Sequence, residues 1–178
     1  MSRILKRITK GVAVAGLAAL VLAAGSYAAG ARINTTKSIP VGLYWTSSAP
    51  VEKGAYVLFC PPQLGVFDDA KERGYIGAGF CQGGYGYMMK RVLAAKDDAV
   101  AVADDGVRVN GELLPLSAPI KADKAGRPLP RYQSNSYTLG NSEVLLMSDV
   151  SATSFDGRYF GPINRSQIKT VIRPVITW

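Results

Sequence analysis

The sequence predicts a mainly β fold, a β-rich α+β domain, carried behind one N-terminal membrane-spanning helix. Three observations predict it. Gly11 to Gly30 holds no charged residue and is the only long apolar run. Beyond it, short β-prone runs alternate with Gly, Pro, Asp-Gly and Asn-Gly, the punctuation of strands joined by turns. Setting aside residues 1–30 leaves 148 of the 178 residues, which suits one domain with a sizeable core.

The N-terminal segment comes first. Formal net charge is +8, and Arg3, Lys6, Arg7 and Lys10 supply four of those charges with no acidic residue among the first ten. A 20-residue helix spans about 30 Å, enough to cross a bilayer. Basic residues before it predict a cytoplasmic segment at 1–10, a transmembrane anchor at 11–30 and a domain at 31–178 outside the cytoplasm. A cleavable signal peptide is the rival, with small residues at Ala28, Ala29 and Ala31. Either reading exports the domain.

The elements then follow in order. Pro50 to Gly54 is a turn. Ala55 to Cys60 is an apolar, β-prone strand ended by Pro61-Pro62. Phe67 to Arg73 is a short charged stretch that suits one or two helical turns. Gly74 to Gly86 holds six glycines and is a loop. Tyr85 to Leu93 is a strand that places Met88, Lys90 and Val92 on one face. Ala99 to Leu114 is a hairpin region, with turns at Asp104-Asp105-Gly106 and Asn110-Gly111. Leu116 to Gln133, rich in Pro and Lys/Arg, is a long surface connection. Glu143 to Met147 is a short strand, Ser148 to Gly161 is polar and turn-prone, and Ile168 to Trp178 closes the domain as a strand. An exported domain with two cysteines suggests a Cys60–Cys81 disulfide; two free buried thiols are the alternative.

Composition also excludes chemistry. The chain has no histidine, so Ser-His-Asp, Cys-His and His-ligated metal sites are all ruled out. Two cysteines are too few for a four-thiolate zinc site. The glycine-rich loop matches no phosphate-binding fingerprint. No long basic run follows residue 10, so nucleic acid is not an expected partner. No metal and no cofactor is expected. A nucleophile in this chain would need a lysine, a carboxylate or an amine as its base.

Ser38 is the candidate nucleophile. It lies in Thr36-Lys37-Ser38-Ile39-Pro40, a few residues beyond the apolar run, where Pro40 restricts the backbone. Ordinary turn chemistry accounts for a serine there equally well. Lys90 is the candidate base. A lysine accepts a proton only when neutral, so its pKa of about 10.4 must fall by roughly 3 units, which desolvation achieves. Met88 and Val92 give Lys90 apolar neighbours; the bland alternative is a lysine snorkelling from a strand edge.

These segments resemble the boxes of the type I signal peptidase family. Thr36-x-Ser38-Ile39-Pro40 resembles its serine box, and Lys53-Gly54-x-x-Val57-Leu58-Phe59 its next strand. Tyr87-Met88-Met89-Lys90-Arg91-Val92 resembles its lysine box, Val109-Asn110-Gly111-Glu112 the following hairpin, and Ser154-Phe155-Asp156-Gly157-Arg158-Tyr159-Phe160-Gly161 its last box. Order and spacing match over most of residues 34–165. Ala94-Ala95-Lys96-Asp97-Asp98 departs from the family's Gly-x-Pro-Gly-Asp turn, and Gly157 stands where the family usually has serine. Pro40 to Tyr44 and Arg158 to Pro162 are closer to the TraF-type peptidases of conjugative plasmid transfer.

The resemblance implies a signal-peptidase-like β domain. It implies Ser38 as nucleophile, Lys90 as general base, and an oxyanion hole from the Ser38 N–H and the Thr36 hydroxyl. Ser154 would hold the lysine amine. Asp156 joins the catalytic set in an indirect role and, with Arg158, supports the site. The implied substrate is an exported pilin precursor, cut or closed into a ring. The implied place is the bacterial inner membrane, with the domain on the periplasmic side, or the periplasm if residues 1–30 are removed. Other transfer-apparatus proteins are further expected partners. A general type I signal peptidase and a non-catalytic assembly factor of the transfer apparatus are the competing readings.

Overall fold

A computed structural model describes residues 3–178, with side chains from Leu5 onward. Helix α1 spans Arg3–Ala28, about 39 Å at the usual rise. It begins upstream of Gly11, because Leu5, Lys6 and Arg7 are good helix formers with no breaker among them. It stops before Gly30, whose φ of +113° is left-handed and whose missing Cβ would lie 2.3 Å from Thr46 Oγ1. Its described side chains are all exposed, and Leu5–Ala28 is long and apolar enough to cross a membrane.

The rest is strand-rich, as the sequence predicts. The elements after α1 are β1 (Ala31–Asn34), β2 (Gly42–Ser47), β3 (Tyr56–Phe59), α2 (Gly65–Glu72), β4 (Met88–Ala94), β5 (Ala99–Ala103) and β6 (Gly106–Val109). Then come β7 (Glu112–Leu113), β8 (Ser134–Thr138), β9 (Glu143–Met147), α3 (Gly157–Phe160), β10 (Ile163–Asn164) and β11 (Ile168–Thr177). Seven strands form one sheet in the order β1-β2-β11-β3-β4-β9-β10, and four form a second in the order β7-β6-β5-β8. All pairs are antiparallel.

Alternation places the core. Along β4, Met88, Lys90, Val92 and Ala94 are buried while the residues between them are half-exposed. Met88 and Val92 pack with Val57, Phe59, Phe67, Val144 and Leu146 beneath the large sheet. Ala94 packs instead with Val100, Val102, Val107 and Val109 from the second sheet and with Leu145 of β9. Asn110 and Gly111 both take positive φ, 54° and 86°, which is the two-residue turn a tight hairpin requires.

Two connections are more ordered than their composition suggests. The glycine-rich loop is tied to the end of β3 by the Cys60–Cys81 disulfide, with Cα atoms 5.5 Å apart. It folds back on itself through an Ala78–Tyr85 bridge. Gly79 permits this, since a Cβ there would sit 2.7 Å from the Gly86 Cα. The Leu116–Gln133 connection carries its own small hairpin, bridged between Ala122 and Pro128, and Arg73 Nη1 donates to Pro128 O at 2.6 Å.

Candidate active site

The serine loop hangs between β1 and β2, and one buried amide shapes it. Asn34, the last residue of β1, is 4% exposed. Its Nδ2 donates to the carbonyls of Thr36, Ile39 and Pro40 at 2.7, 2.9 and 3.1 Å. Three carbonyl partners fix which end of the amide is nitrogen. Oδ1 therefore faces the other way, accepting from Thr36 N at 3.2 Å and from Thr36 Oγ1 at 3.0 Å. Ile39 is fully buried against Tyr44, Leu58 and Ile172 and anchors the loop from below. The Tyr44 hydroxyl donates to Pro40 O at 2.6 Å.

Proton counting then settles the resting direction of Ser38. Its Oγ lies 2.7 Å from Thr36 Oγ1. Thr36 has one hydroxyl proton and gives it to Asn34, so Ser38 donates and Thr36 accepts. Among the described residues the Ser38 N–H has no hydrogen bond to the chain, so it is free to meet a ligand oxygen.

Lys90 comes from β4. It is 3% exposed, pairs with Val57 across the β3–β4 ladder, and donates from Nζ to Ser154 Oγ at 2.9 Å. Its pKa is lowered from the usual 10.5 to about 8. Burial is the main cause; the Asp156 carboxylate opposes it and the Arg158 cation adds to it. Ser38, Lys90 and Ser154 all line one open cavity of about 420 Å³, with Thr36, Lys37 and Tyr87. Ser38 and Lys90 share no direct hydrogen bond: in this state each hydroxyl or amine is bonded to its own neighbour.

Asp156 and Arg158 lie behind Ser154, both fully buried. Arg158 Nε and Nη2 donate to the two carboxylate oxygens at 2.7 and 2.9 Å. The carboxylate also accepts from Ser148 N at 3.0 Å and caps α3 through Arg158 N at 3.2 Å. Its lone pairs are thus taken, and Lys90 does not bond to it. Arg158 Nη1 donates to Leu116 O and Ala152 O at 2.7 and 3.0 Å, tying the long connection to the loop that carries Ser154.

The structure therefore gathers Ser38, Thr36, Lys90 and Ser154 around one cavity and sets Asp156 and Arg158 behind it. Cys60 and Cys81 lie apart from it, in the bridge that holds the neighbouring glycine loop. Sequence reasoning missed Asn34. The signal was local: an asparagine two residues before Thr36 is the signature of an Asx turn. It also missed Tyr75 and Phe155, which line the far side of the cavity. Among the described residues no three His, Cys, Asp or Glu side chains gather to hold a metal.

The family model described as signal peptidase, peptidase S26, matches residues 1–178. A plasmid transfer protein TraF of Escherichia coli is 96% identical over 178 residues, covering all of both chains. A second Escherichia coli plasmid transfer protein TraF is 77% identical over the same length. A conjugal transfer protein TraF of Agrobacterium fabrum is 34% identical over 168 residues, 92% of this chain and 93% of the relative. A crystal structure of a signal peptidase I from Enterococcus faecalis overlaps loosely, with TM-score 0.40 and 16% identity, covering 71% of this chain and 100% of that one. On the strength of a family match along its whole length and of relatives that share all of it, the chain belongs to the S26 signal peptidase family.

Proposed function

We propose that the chain is a Ser/Lys serine endopeptidase. It is held in the bacterial inner membrane by α1 and matures an exported pilin precursor on the periplasmic side for conjugative plasmid transfer. One observation carries the chemistry: a lysine only 3% exposed, its pKa lowered to about 8, lines the same cavity as a half-buried serine in a histidine-free chain. The relatives' names support the setting, since they are plasmid and conjugal transfer proteins.

The steps follow from the residues. Ser38 Oγ turns from Thr36 toward Lys90 and attacks a peptide carbonyl, giving its proton to the neutral Nζ. The oxyanion is met by the free Ser38 N–H; Thr36 contributes once its proton leaves Asn34. Collapse expels the amine of the cleaved bond, which takes the proton from Lys90. Ser154 holds Nζ in place throughout. Water attacking the acyl-enzyme gives a linear product. The substrate's own N-terminal amine gives a new peptide bond and a ring, one water lighter.

The test is the mass of a pilin precursor incubated with the full chain and with its Ser38→Ala and Lys90→Arg variants. The reading expects a shortened linear or ring product from the parent chain alone. Arginine stays charged and cannot serve as base. An unchanged precursor in every case points to an assembly factor, and processing of many unrelated precursors points to a general signal peptidase.

A further inference from the structure

Beside the catalytic cavity lies a second one, of about 300 Å³. Tyr75, Thr153 and Phe155 line both, so the two adjoin. The chemistry of their walls differs. The first exposes Ser38, Lys37 and Ser154, whereas the second is walled by Tyr75, Ile120, Leu129, Phe155 and Tyr159.

This second cavity is a built feature. Phe155 stacks on Tyr159, with centroids 5.8 Å apart and planes 5° off parallel, and meets Tyr75 at 5.7 Å. The outer wall comes from the Leu116–Gln133 connection. Ile120 N donates to the Tyr159 hydroxyl at 3.1 Å. The Tyr75 hydroxyl donates to Asp123, which also accepts from Arg127 Nε at 2.7 Å and from Ala125 N at 2.9 Å. Asp123 is therefore spent on its own hairpin. Lys124, Arg127 and Thr153 also line it, but most of the wall is apolar, and the space is of the size of one large side chain.

We propose that this cavity is a substrate subsite, taking a large apolar side chain at one position removed from the bond that is cut. The occupant is argued from that shared wall. A polypeptide lying across Ser38 and past Tyr75 reaches it. The inference rests on the peptidase reading above.

The test uses the full chain in detergent micelles and a position-scanning peptide library, read by mass spectrometry. At one position not flanking the cut, Leu, Phe or Trp should raise kcat/KM over Ala by about tenfold or more, the usual effect of burying such a side chain. Ile120→Trp fills the pocket and should shift that preference toward small residues. Leu129→Ala enlarges it and should shift the preference toward Trp. General damage would lower all rates together and leave the preference in place, which would overturn the proposal. Binding of the same peptides to the Ser38→Ala variant, measured by fluorescence anisotropy, is read in parallel. Binding with the same preference but no cleavage by the parent chain keeps the subsite and removes the peptidase reading. Cleavage with no preference away from the cut removes the subsite alone.

Discussion

Replacing Lys90 by methionine should make the protein more stable near neutral pH while removing its activity. Lys90 sits at 3% exposure with its pKa lowered from 10.5 to about 8. Between those two values the unfolded chain binds a proton that the folded chain does not, so stability rises with pH across that window. Below pH 8 both states are charged, and the fold carries the full cost of enclosing the ammonium, roughly 3 kcal/mol. Methionine is unbranched, of similar length and uncharged. It loses the hydrogen bond to Ser154 Oγ, worth about 1 kcal/mol. The net expectation is a gain of roughly 2 kcal/mol at pH 7 that shrinks toward pH 10.5. Urea unfolding of both proteins in one detergent, from pH 6 to pH 10.5, measures it. Tyr44 and Tyr85, whose pKa values are pushed up to about 12, change stability at higher pH, and the difference curve cancels them. The same value fixes the activity profile: roughly a tenth of the chains carry neutral Lys90 at pH 7 and roughly nine-tenths at pH 9. A difference curve flat between pH 8 and 10.5, or an activity that climbs only above pH 10, would refute a desolvated base.

Three further expectations come from the site's supports. Asn34→Ala removes five hydrogen bonds around the serine loop and should cost about 2–4 kcal/mol in urea unfolding. Its cleavage rate should fall more than tenfold, and parental kinetics would show that the loop shapes itself without it. Asp156→Asn leaves the enclosed Arg158 unmatched and should cost about 3–5 kcal/mol with a large loss of processing; unchanged melting and processing would remove that charge from the account. Cys60→Ser with Cys81→Ser opens a loop of 21 residues and should cost about 3 kcal/mol, with a much smaller effect on rate at low temperature. Equal urea midpoints for the parent and the double variant would contradict it.

Much of the site was legible because its chemistry is carried by residue type. A chain without histidine leaves few bases, and the period of two put Lys90 on the buried face with Met88 and Val92. The strands that were read, such as Glu143–Met147, have apolar runs that declare themselves. Two of the strands that went unread do not. Ala31–Asn34 is half polar, and Ser134–Thr138 is polar and largely exposed; both form because a neighbouring strand offers hydrogen bonds, a long-range fact. The order of the Leu116–Gln133 connection was hidden for the same reason. Its fixing partners Arg73, Tyr159 and Arg158 are 30 or more residues away along the chain. Asp156 paired with Arg158 is local, two residues apart, and its pairing could be expected from the sequence.

Only Ala29 and Gly30 separate the end of α1 from the first residue of β1. Gly30 has no room for a side chain, and the Arg32 guanidinium lies 3.8 Å from the centre of the Tyr27 ring, closing the joint from the other side. With α1 in a bilayer, so short a joint keeps the domain close to the lipid. Ser38 comes ten residues after the helix ends, so in that setting it lies within a short reach of the lipid. Under the proposed peptidase function, so short a tether would favour bonds presented near the lipid surface over those held far from it. A flexible spacer inserted after Ala29 would then widen the range of depths the site can reach.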